Sequence, residues 1–270
     1  MKIPNLLGAN TVCYKPYSLE EALAGIATAG YRYVELAAIP GFVEHVPLEA
    51  DGAALSEVQR LLSDVGLIPI SVSGHSDLTT PKGVREGQRA LNICKHLGIG
   101  ILNTSVGGSF NEDEDEDAFM ANIHEFADLA AEHGVVIGIE IHGTLTGTAQ
   151  KTRALIEKVN HPKVGINYDT ANSVFFSDLK PEDDLPAALP RAIHCHLKDT
   201  AGGHREWNFP AIGEGNVDFK TVLAMFQKAG YTGPFSVEME FQGDPWPSLE
   251  AVNKAMKDSY DFLVGLGLSG

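Results

Sequence analysis

The sequence alternates short apolar stretches with amphipathic stretches eight times, and this alternation limits the folds that the chain can adopt. The apolar stretches are predicted strands at residues 7–13, 31–37, 67–72, 99–106, 135–141, 164–168, 192–197 and 235–239. Predicted helices follow at residues 18–29, 56–65, 82–97, 118–133, 148–159, 218–229 and 249–265, with at most a short helix at 186–189. Short strands separated by helices indicate βαβ units around a parallel sheet.

Eight such units in roughly 250 residues match the size of a (β/α)8 TIM barrel. We therefore predict an α/β protein in which residues 1–270 form one TIM-barrel domain. The alternative is an open, doubly wound sheet. The G-x-G-x-x-G fingerprint of dinucleotide-binding sheets does not follow the first strand. Ser18 and Glu21 form a capping-box pattern, which predicts where the first helix begins.

Charge and composition narrow the possible partners and the compartment. A net charge of -16 argues against non-specific binding to nucleic acid, and no apolar run is long enough to span a membrane. The three cysteines are scattered and odd in number, which favours a reducing compartment. The first ten residues, MKIPNLLGAN, lack the apolar core of a signal peptide. The sequence thus predicts a cytoplasmic protein, and it leaves open whether the chain forms a homo-oligomer.

Four ionisable residues fall at the carboxyl ends of four consecutive predicted strands, where the active sites of TIM barrels lie. They are Glu140, Asp169, His196 and Glu238. Each comes from a mostly apolar strand, in which a charge needs a partner. Three carboxylates and one imidazole suit Mn²⁺, Mg²⁺, Co²⁺ or Zn²⁺, so we predict one divalent metal ion. The alternative is that some of these residues cap helices or pair with lysine and arginine.

Polar residues near the same strand ends are predicted to contact a substrate. His194 shares a strand face with His196 and is predicted to support that residue or to contact substrate. Lys198 is predicted to bind a substrate oxygen or to pair with Asp199 or Glu140.

Four further positions carry weaker signals. His75 lies in a predicted polar turn, where it either contacts substrate or is solvated. His142 is predicted either to reach the rim of the pocket or to be exposed. Glu35 is predicted to contact substrate or to form a structural ion pair, and Arg205 belongs to a loop that could close over the site. The acidic run at residues 111–117 is predicted to be a solvated helix start, where negative charge suits the helix dipole.

Five segments together resemble the xylose isomerase-like TIM barrels. They are IEIHG, NYDTAN, HCHLKD, FPAIGEGNVDF and GPFSVEME. Within that superfamily they are similar to the sugar phosphate isomerase/epimerase group, which includes ketose 3-epimerases, inosose isomerases and inosose dehydratases. The resemblance covers nearly the whole chain and is strongest over residues 135–240. It implies that Glu140, Asp169, His196 and Glu238 bind the metal, and that the two glutamates form the acid/base pair.

The sequence also departs from parts of that superfamily. Apurinic endonucleases and most ketose 3-epimerases carry a histidine three residues after the aspartate of strand six, where this chain has Asn172. Asn172 therefore joins the residues predicted to contact substrate. His75 does match a histidine of the superfamily. The departures and the net charge of -16 argue against a DNA-repair enzyme, and the departures also argue against a simple ketohexose as the substrate.

The resemblance and the residues together predict an enzyme of carbohydrate metabolism. The first hypothesis is a metal-dependent isomerase or epimerase that acts on a sugar or keto-sugar through an enediol(ate), with manganese as one possible ion. The second is a lyase of the same fold, either an inosose-type dehydratase or a 3-keto-glycoside eliminase. The third is a catalytically silent sugar-binding barrel.

Overall fold

A computed structural model describes residues 3–107 and 114–269. The strands are β1 (Ile3–Asn10), β2 (Tyr33–Ile39), β3 (Val43–Glu44), β4 (Ile68–Ser73), β5 (Ile101–Thr104), β6 (Val136–Glu140), β7 (Val164–Asp169), β8 (Ala192–Leu197), β9 (Phe235–Val237) and β10 (Leu268–Ser269). The helices are α1 (Leu19–Ala29), α2 (Gly52–Val65), α3 (Pro81–Leu97), α4 (Glu116–Glu132), α5 (Ala149–Val159), α6 (Asn172–Ser177), α7 (Pro181–Ala188), α8 (Phe219–Lys228) and α9 (Leu249–Gly265).

Eight parallel strands close into a barrel. Strand β1 pairs with β2 on one side and with β9 on the other, so that Gly8 lies opposite both Tyr33 and Ser236. The remaining neighbours follow in the order β2, β4, β5, β6, β7, β8 and β9. The predicted TIM barrel is therefore confirmed, and the open sheet is excluded because the first and last strands of the barrel are hydrogen bonded to each other. Strands β3 and β10 are short additions to β2 and β1.

Local capping explains where the helices begin and end. The Ser18 side chain accepts a hydrogen bond from the Glu21 backbone N–H while Glu21 reaches back to the Ser18 backbone, which confirms the predicted capping box. Helix α2 begins four residues before its predicted start because Asp51 caps it by accepting from the Ala54 N–H at 2.9 Å. It ends where Gly66 adopts φ of 72°, a left-handed conformation that glycine takes without strain.

The predicted short helix at 186–189 is the end of a longer helix, α7. Pro181 occupies its first turn together with three acidic residues, and both features favour a helix start. Helix α6 was not predicted.

The acidic run at residues 111–117 lies partly outside the described residues. Its last three residues do start α4, with Asp115 as the cap. Glu114, however, is buried and accepts hydrogen bonds from the Thr144 and Leu145 backbone N–H groups at 2.8 and 2.7 Å. The prediction of a solvated run is therefore wrong for Glu114.

A continuous apolar core fills the space between barrel and helices. Strands β4, β5, β6 and β8 are buried toward their carboxyl ends. The apolar faces of α1, α3, α4 and α9 are buried as well. In the described part of the chain, every helix is too short or too polar to cross a bilayer. The core leaves the carboxyl ends of the strands as the place where buried charges collect.

Candidate active site at the carboxyl ends of the strands

Four neighbouring strands bring Glu140, Asp169, His196 and Glu238 together. Each offers a ligand atom within 4.8 Å of the others, and all four residues are buried. The pairing of Asp169 with His196 across β7 and β8 fixes two of them side by side. The sequence predicted this juxtaposition from the strand ends alone. The role of the four residues as metal ligands stays a prediction.

The His196 ring lies between carboxylates on both of its edges. Its Nδ1 is 2.9 Å from Glu140 Oε1 and 3.2 Å from Glu238 Oε2, whereas its Nε2 is 3.0 Å from Glu35 Oε2. Asn103 holds Glu35 in place by donating to its Oε1 at 2.7 Å. A carboxylate behind an imidazole orients the ring and raises its basicity, as around the histidine ligands of metal sites.

Asp169 carries the strongest sign that the site is built for a cation. Its Oδ1 accepts hydrogen bonds from the Ala171 and Asn172 N–H groups at 2.8 and 2.9 Å. Its Oδ2 is buried and has no hydrogen-bond partner among the described residues, and the Lys198 Nζ is 4.0 Å away. A buried carboxylate oxygen without a donor is costly. A divalent cation held by oxygen and imidazole ligands would satisfy it, so the four residues fit the predicted ion.

The electrostatics of the cluster point the same way. Burial raises the pKa of Glu140 and raises the pKa of Asp169 to about 7. Burial also acts to raise the pKa of Glu238, but the charges of His196 and Lys198 outweigh it and lower that pKa to about 2. A bound divalent ion favours the ionised form of every carboxylate that it contacts.

A second group, made of Glu35, His194 and His196, also brings three possible ligands together. Its atoms already have partners. Besides the Asn103 contact of Glu35, the His194 Nδ1 donates to Asn167 Oδ1 at 2.9 Å, and its Nε2 lies 3.1 Å from Ser71 Oγ. We therefore assign Glu35 and His194 a structural role, which is to hold the His196 ring in place.

Lys198 is buried beside the cluster and has different partners from those predicted. Its Nζ lies 3.0 Å from Glu238 Oε1 and forms a second hydrogen bond with Glu240 Oε2. The predicted pairing with Asp199 or Glu140 is therefore wrong. The charges of Glu240 and Glu238 outweigh burial and keep the pKa of Lys198 well above its usual range. Lys198 thus stays charged, and its ammonium group is hydrogen bonded to two carboxylates.

Asp199 anchors the GEG segment instead. Its carboxylate accepts hydrogen bonds from the backbone N–H groups of four residues, Thr200, Gly213, Gly215 and Val217. A methyl group on Gly215 would meet Asp199 Oδ1 at 2.3 Å and the Thr200 carbonyl oxygen at 2.6 Å. Glycine is required there because the loop backbone approaches the carboxylate so closely.

Replacing Gly215 by alanine is expected to destabilise the protein by about 1–3 kcal/mol, the usual cost of forcing an extra methyl into a packed site. Urea denaturation would measure this change. Gly265→Ala is the matched control, because a methyl group there meets no atom within 4 Å at the end of α9. It is expected to leave stability unchanged or raise it by up to ~1 kcal/mol. Equal effects of the two substitutions would contradict the role given to Gly215.

A cavity of about 480 Å³ adjoins the cluster, within the range of small-molecule sites. Of the residues predicted to contact substrate, it is lined by His75, His142, Asn172 and Lys198. The His75 Nε2 lies 3.1 Å from Glu140 Oε2. Burial lowers the pKa of His75 to about 4 and that of His142 to about 3, so both rings are neutral near pH 7.

The other three predicted contacts do not line the cavity. Glu35 and His194 are fully buried nearer the amino ends of their strands, where they support His196 as described above. Arg205 lies on an exposed turn with φ of 61°, and its guanidinium stacks 5.3 Å from the centre of the Phe176 ring. Glu35 thus forms the structural ion pair that the sequence offered as an alternative, and His194 takes the predicted supporting role. The substrate contact of Arg205 stays a prediction. From the same loop, Trp207 does line the cavity.

Sequence reasoning missed three residues that complete the site. Glu240 lines the cavity and pairs with Lys198, and burial raises its pKa to about 7. Asn10 donates to Glu238 Oε2 at 3.0 Å. Asn167 positions His194 through its side-chain oxygen. The two-residue spacing of Glu238 and Glu240 was a usable signal, because alternate residues of an extended chain share a face.

Fold and site together define a TIM-barrel protein with a buried acidic and imidazole cluster at its strand ends. The chain belongs to the xylose isomerase-like TIM barrel family, whose profile matches residues 23–264. This confirms the resemblance found in the sequence.

Known relatives include sugar epimerases and a dehydratase. L-ribulose 3-epimerase of Methylomonas sp. (strain DH-1) is 26% identical over 235 residues, which cover 81% of this chain and 77% of that enzyme. Inosose dehydratase of Geobacillus thermodenitrificans (strain NG80-2) is 33% identical over 147 residues, which cover 47% of this chain and 48% of that enzyme. The solved structure of D-allulose 3-epimerase from Methylomonas sp. with D-allulose has a TM-score of 0.75, 21% identity and coverage of 98% and 99% of the two chains.

Proposed function

We propose that the protein is a divalent-metal-dependent isomerase or epimerase of a sugar or keto-sugar. The observation that carries the proposal is the placement of Glu140 and Glu238, which come from different strands and lie within 3.2 Å of the same His196 nitrogen. Both glutamates line the cavity. Two carboxylates that approach one point from different strands suit proton removal and return at one carbon. The similarity to L-ribulose 3-epimerase supports this class of reaction.

Glu140, Asp169, His196 and Glu238 would hold the ion. When bound, a divalent ion acts as a Lewis acid that polarises the substrate carbonyl and stabilises the charge that develops on its oxygen. The unsatisfied Asp169 oxygen and the carboxylates around His196 supply the ligand chemistry. Glu35 fixes the His196 ring from its other edge.

The protein's own residues would carry the proton. One glutamate removes the proton from the carbon next to the carbonyl, and the electron pair of that C–H bond forms the enediolate. The other glutamate, which must carry a proton when the substrate binds, gives that proton to the opposite face, which inverts the carbon and leaves this glutamate ionised. Since His75 lies 3.1 Å from Glu140 Oε2, it is placed to accept a hydrogen bond from the protonated carboxyl group between these steps.

Incubation of the metal-loaded protein with a panel of keto-sugars in D₂O tests the proposal. We expect the recovered sugar to carry solvent deuterium at the carbon next to the carbonyl, measured by NMR. A lyase would instead release water or an aglycone after the same proton removal, and the similarity to inosose dehydratase keeps this as the second candidate. Absence of both exchange and consumption across the panel would refute the proposal and favour a non-catalytic sugar-binding barrel.

A further inference from the structure

The cavity is acidic, and the one lysine among its described lining residues is hydrogen bonded to two carboxylates. Four carboxylates line it, those of Asp77, Glu140, Glu238 and Glu240. Among the residues that the structure describes, Lys198 is the one lysine or arginine in the lining. Its ammonium group is hydrogen bonded to Glu238 and Glu240. The segment at 108–113, GSFNED, carries no lysine or arginine either.

An ion in the cluster would not change the sign of this charge. The proposed ligands include three carboxylates, which more than offset the two positive charges of a divalent ion. An anionic group of a ligand would therefore face the carboxylates of the cavity, and the one lysine in the described lining is already paired with two of them. Burying an unpaired anion beside like charges is strongly unfavourable.

The remaining wall of the cavity carries uncharged polar side chains, such as those of Ser73, Ser76 and Ser105, and an aromatic part. This aromatic wall consists of Phe42, Phe175, Trp207 and Phe209. The Trp207 and Phe209 rings pack edge-to-face with centroids 5.2 Å apart, and Phe175 lies 5.7 Å from Phe209. Aromatic faces pack against the C–H groups of a ligand, but they offer nothing to a phosphate dianion.

Two other cations lie against rings of the aromatic wall without lining the cavity themselves. Lys15 lies 4.8 Å from the centre of the Phe42 ring and pairs with Asp244 at 2.9 Å. Arg205 stacks against Phe175 and Phe176. Neither Lys15 nor Arg205 lines the cavity, so neither supplies there the charge-assisted contact by which proteins bind phosphate.

We infer that the pocket selects an uncharged sugar and rejects the phosphate ester of the same sugar. This inference rests on the proposed function and adds the class of substrate. The sugar's carbonyl end faces the acidic cluster, and its other end packs against the aromatic wall. We expect the parent sugar to be favoured over its phosphate ester by about 100-fold in kcat/KM, because like charges brought together in a recognition site are strongly unfavourable.

The test compares matched pairs, ribulose with ribulose 5-phosphate and fructose with fructose 6-phosphate, on the metal-loaded protein. Deuterium exchange gives kcat/KM, and calorimetry gives the affinity of each compound. Exchange that favours the parent sugar supports the inference. Equal or faster exchange with the ester overturns it and leaves the proposed function standing.

If no compound exchanges, the proposed function fails on this panel, and affinity decides the inference separately. Tighter binding of the parent sugar supports it. Equal or tighter binding of the ester, or binding of neither compound, overturns it.

A charge introduced into the aromatic wall gives an independent test. Phe42→Arg places a guanidinium on the loop between β2 and β3, and Phe42→Gln removes the ring without adding charge. We expect the arginine variant to narrow the preference for the parent sugar by about tenfold or more, since one charge-assisted contact to phosphate is gained. The glutamine variant should leave the preference close to that of the parent protein. Trp207→Arg repeats the test from another loop, and an unchanged preference in both arginine variants would overturn the inference.

Discussion

Replacing Glu140 or Glu238 by glutamine is expected to lower the turnover of the keto-sugar by about 10²–10⁴-fold, the usual worth of a positioned acid or base. Glutamine keeps the shape of the side chain and one oxygen ligand, so the ion still binds, with lower affinity. The lost rate therefore reports the proton transfer, and metal analysis of each variant separates it from loss of the ion.

The two variants should fail in different ways if the glutamates act on opposite faces. The variant that lacks the first base should stop deuterium exchange altogether. The variant that lacks the second should still exchange the starting sugar but form little epimer. NMR of both sugars in D₂O distinguishes these outcomes, and running the reaction from the epimer should reverse the roles.

Glu114→Gln is the control for this experiment. Glu114 is a buried glutamate that does not line the cavity and accepts hydrogen bonds from backbone N–H groups, as an amide oxygen also can. Its variant should keep the parent rate. Near-parent rates in both Glu140→Gln and Glu238→Gln, with metal bound, would move the proton transfer to another residue, with His75 first because of its contact with Glu140.

The barrel could be predicted because each of its units is specified locally. The apolar strands, the Ser18 capping box and the glycines after the helices are short-range patterns that each fix one element. Helix α6 escaped prediction because it has six residues and no side-chain cap of the usual kind. Its first turn is held by Asp169, which accepts the N–H groups of Ala171 and Asn172. The same carboxylate thus starts a helix and contributes to the predicted metal site.

The cluster could be predicted only as far as strand order places residues at one end of the barrel. Glu140, Asp169, His196 and Glu238 satisfy that rule. Of the two partners of Lys198, Glu238 directly follows the last residue of β9, whereas Glu240 lies two residues further on and reaches Lys198 through the path of the chain after the strand. Strand order alone does not give that path. Glu35 and His194 were placed on the correct strands, but their distance from the cavity depends on depth in the barrel, which spacing alone does not give.

Asp169→Asn is expected to abolish tight metal binding without destabilising the protein when no metal is present. The amide oxygen can still accept from the Ala171 and Asn172 N–H groups, so the start of α6 is kept. The amide NH2 group then takes the place of Oδ2, and the ion loses this oxygen ligand. The substitution also removes a buried charge whose Oδ2 has no hydrogen-bond donor among the described residues and whose pKa burial raises to about 7. Removing an unsatisfied buried charge favours folding, so the variant should unfold at the same or a higher temperature than the parent protein after chelation.

The effect of added metal should separate the two proteins. A ligand present at 100 times its Kd stabilises the folded state by about 2.7 kcal/mol, so Mn²⁺ or Mg²⁺ should raise the Tm of the chelated parent protein. The same addition should leave the Tm of Asp169→Asn unchanged, and metal analysis should fall from about one equivalent to none. Asp184→Asn is the matched control, because Asp184 is also a buried carboxylate that accepts a backbone N–H, that of Ala149 at 3.0 Å, but lies outside the cluster. A parent-like response to metal in Asp169→Asn would show that the ion, if bound, is held by other residues, and the cluster would then be a buried ion-pair network around Lys198 and His196.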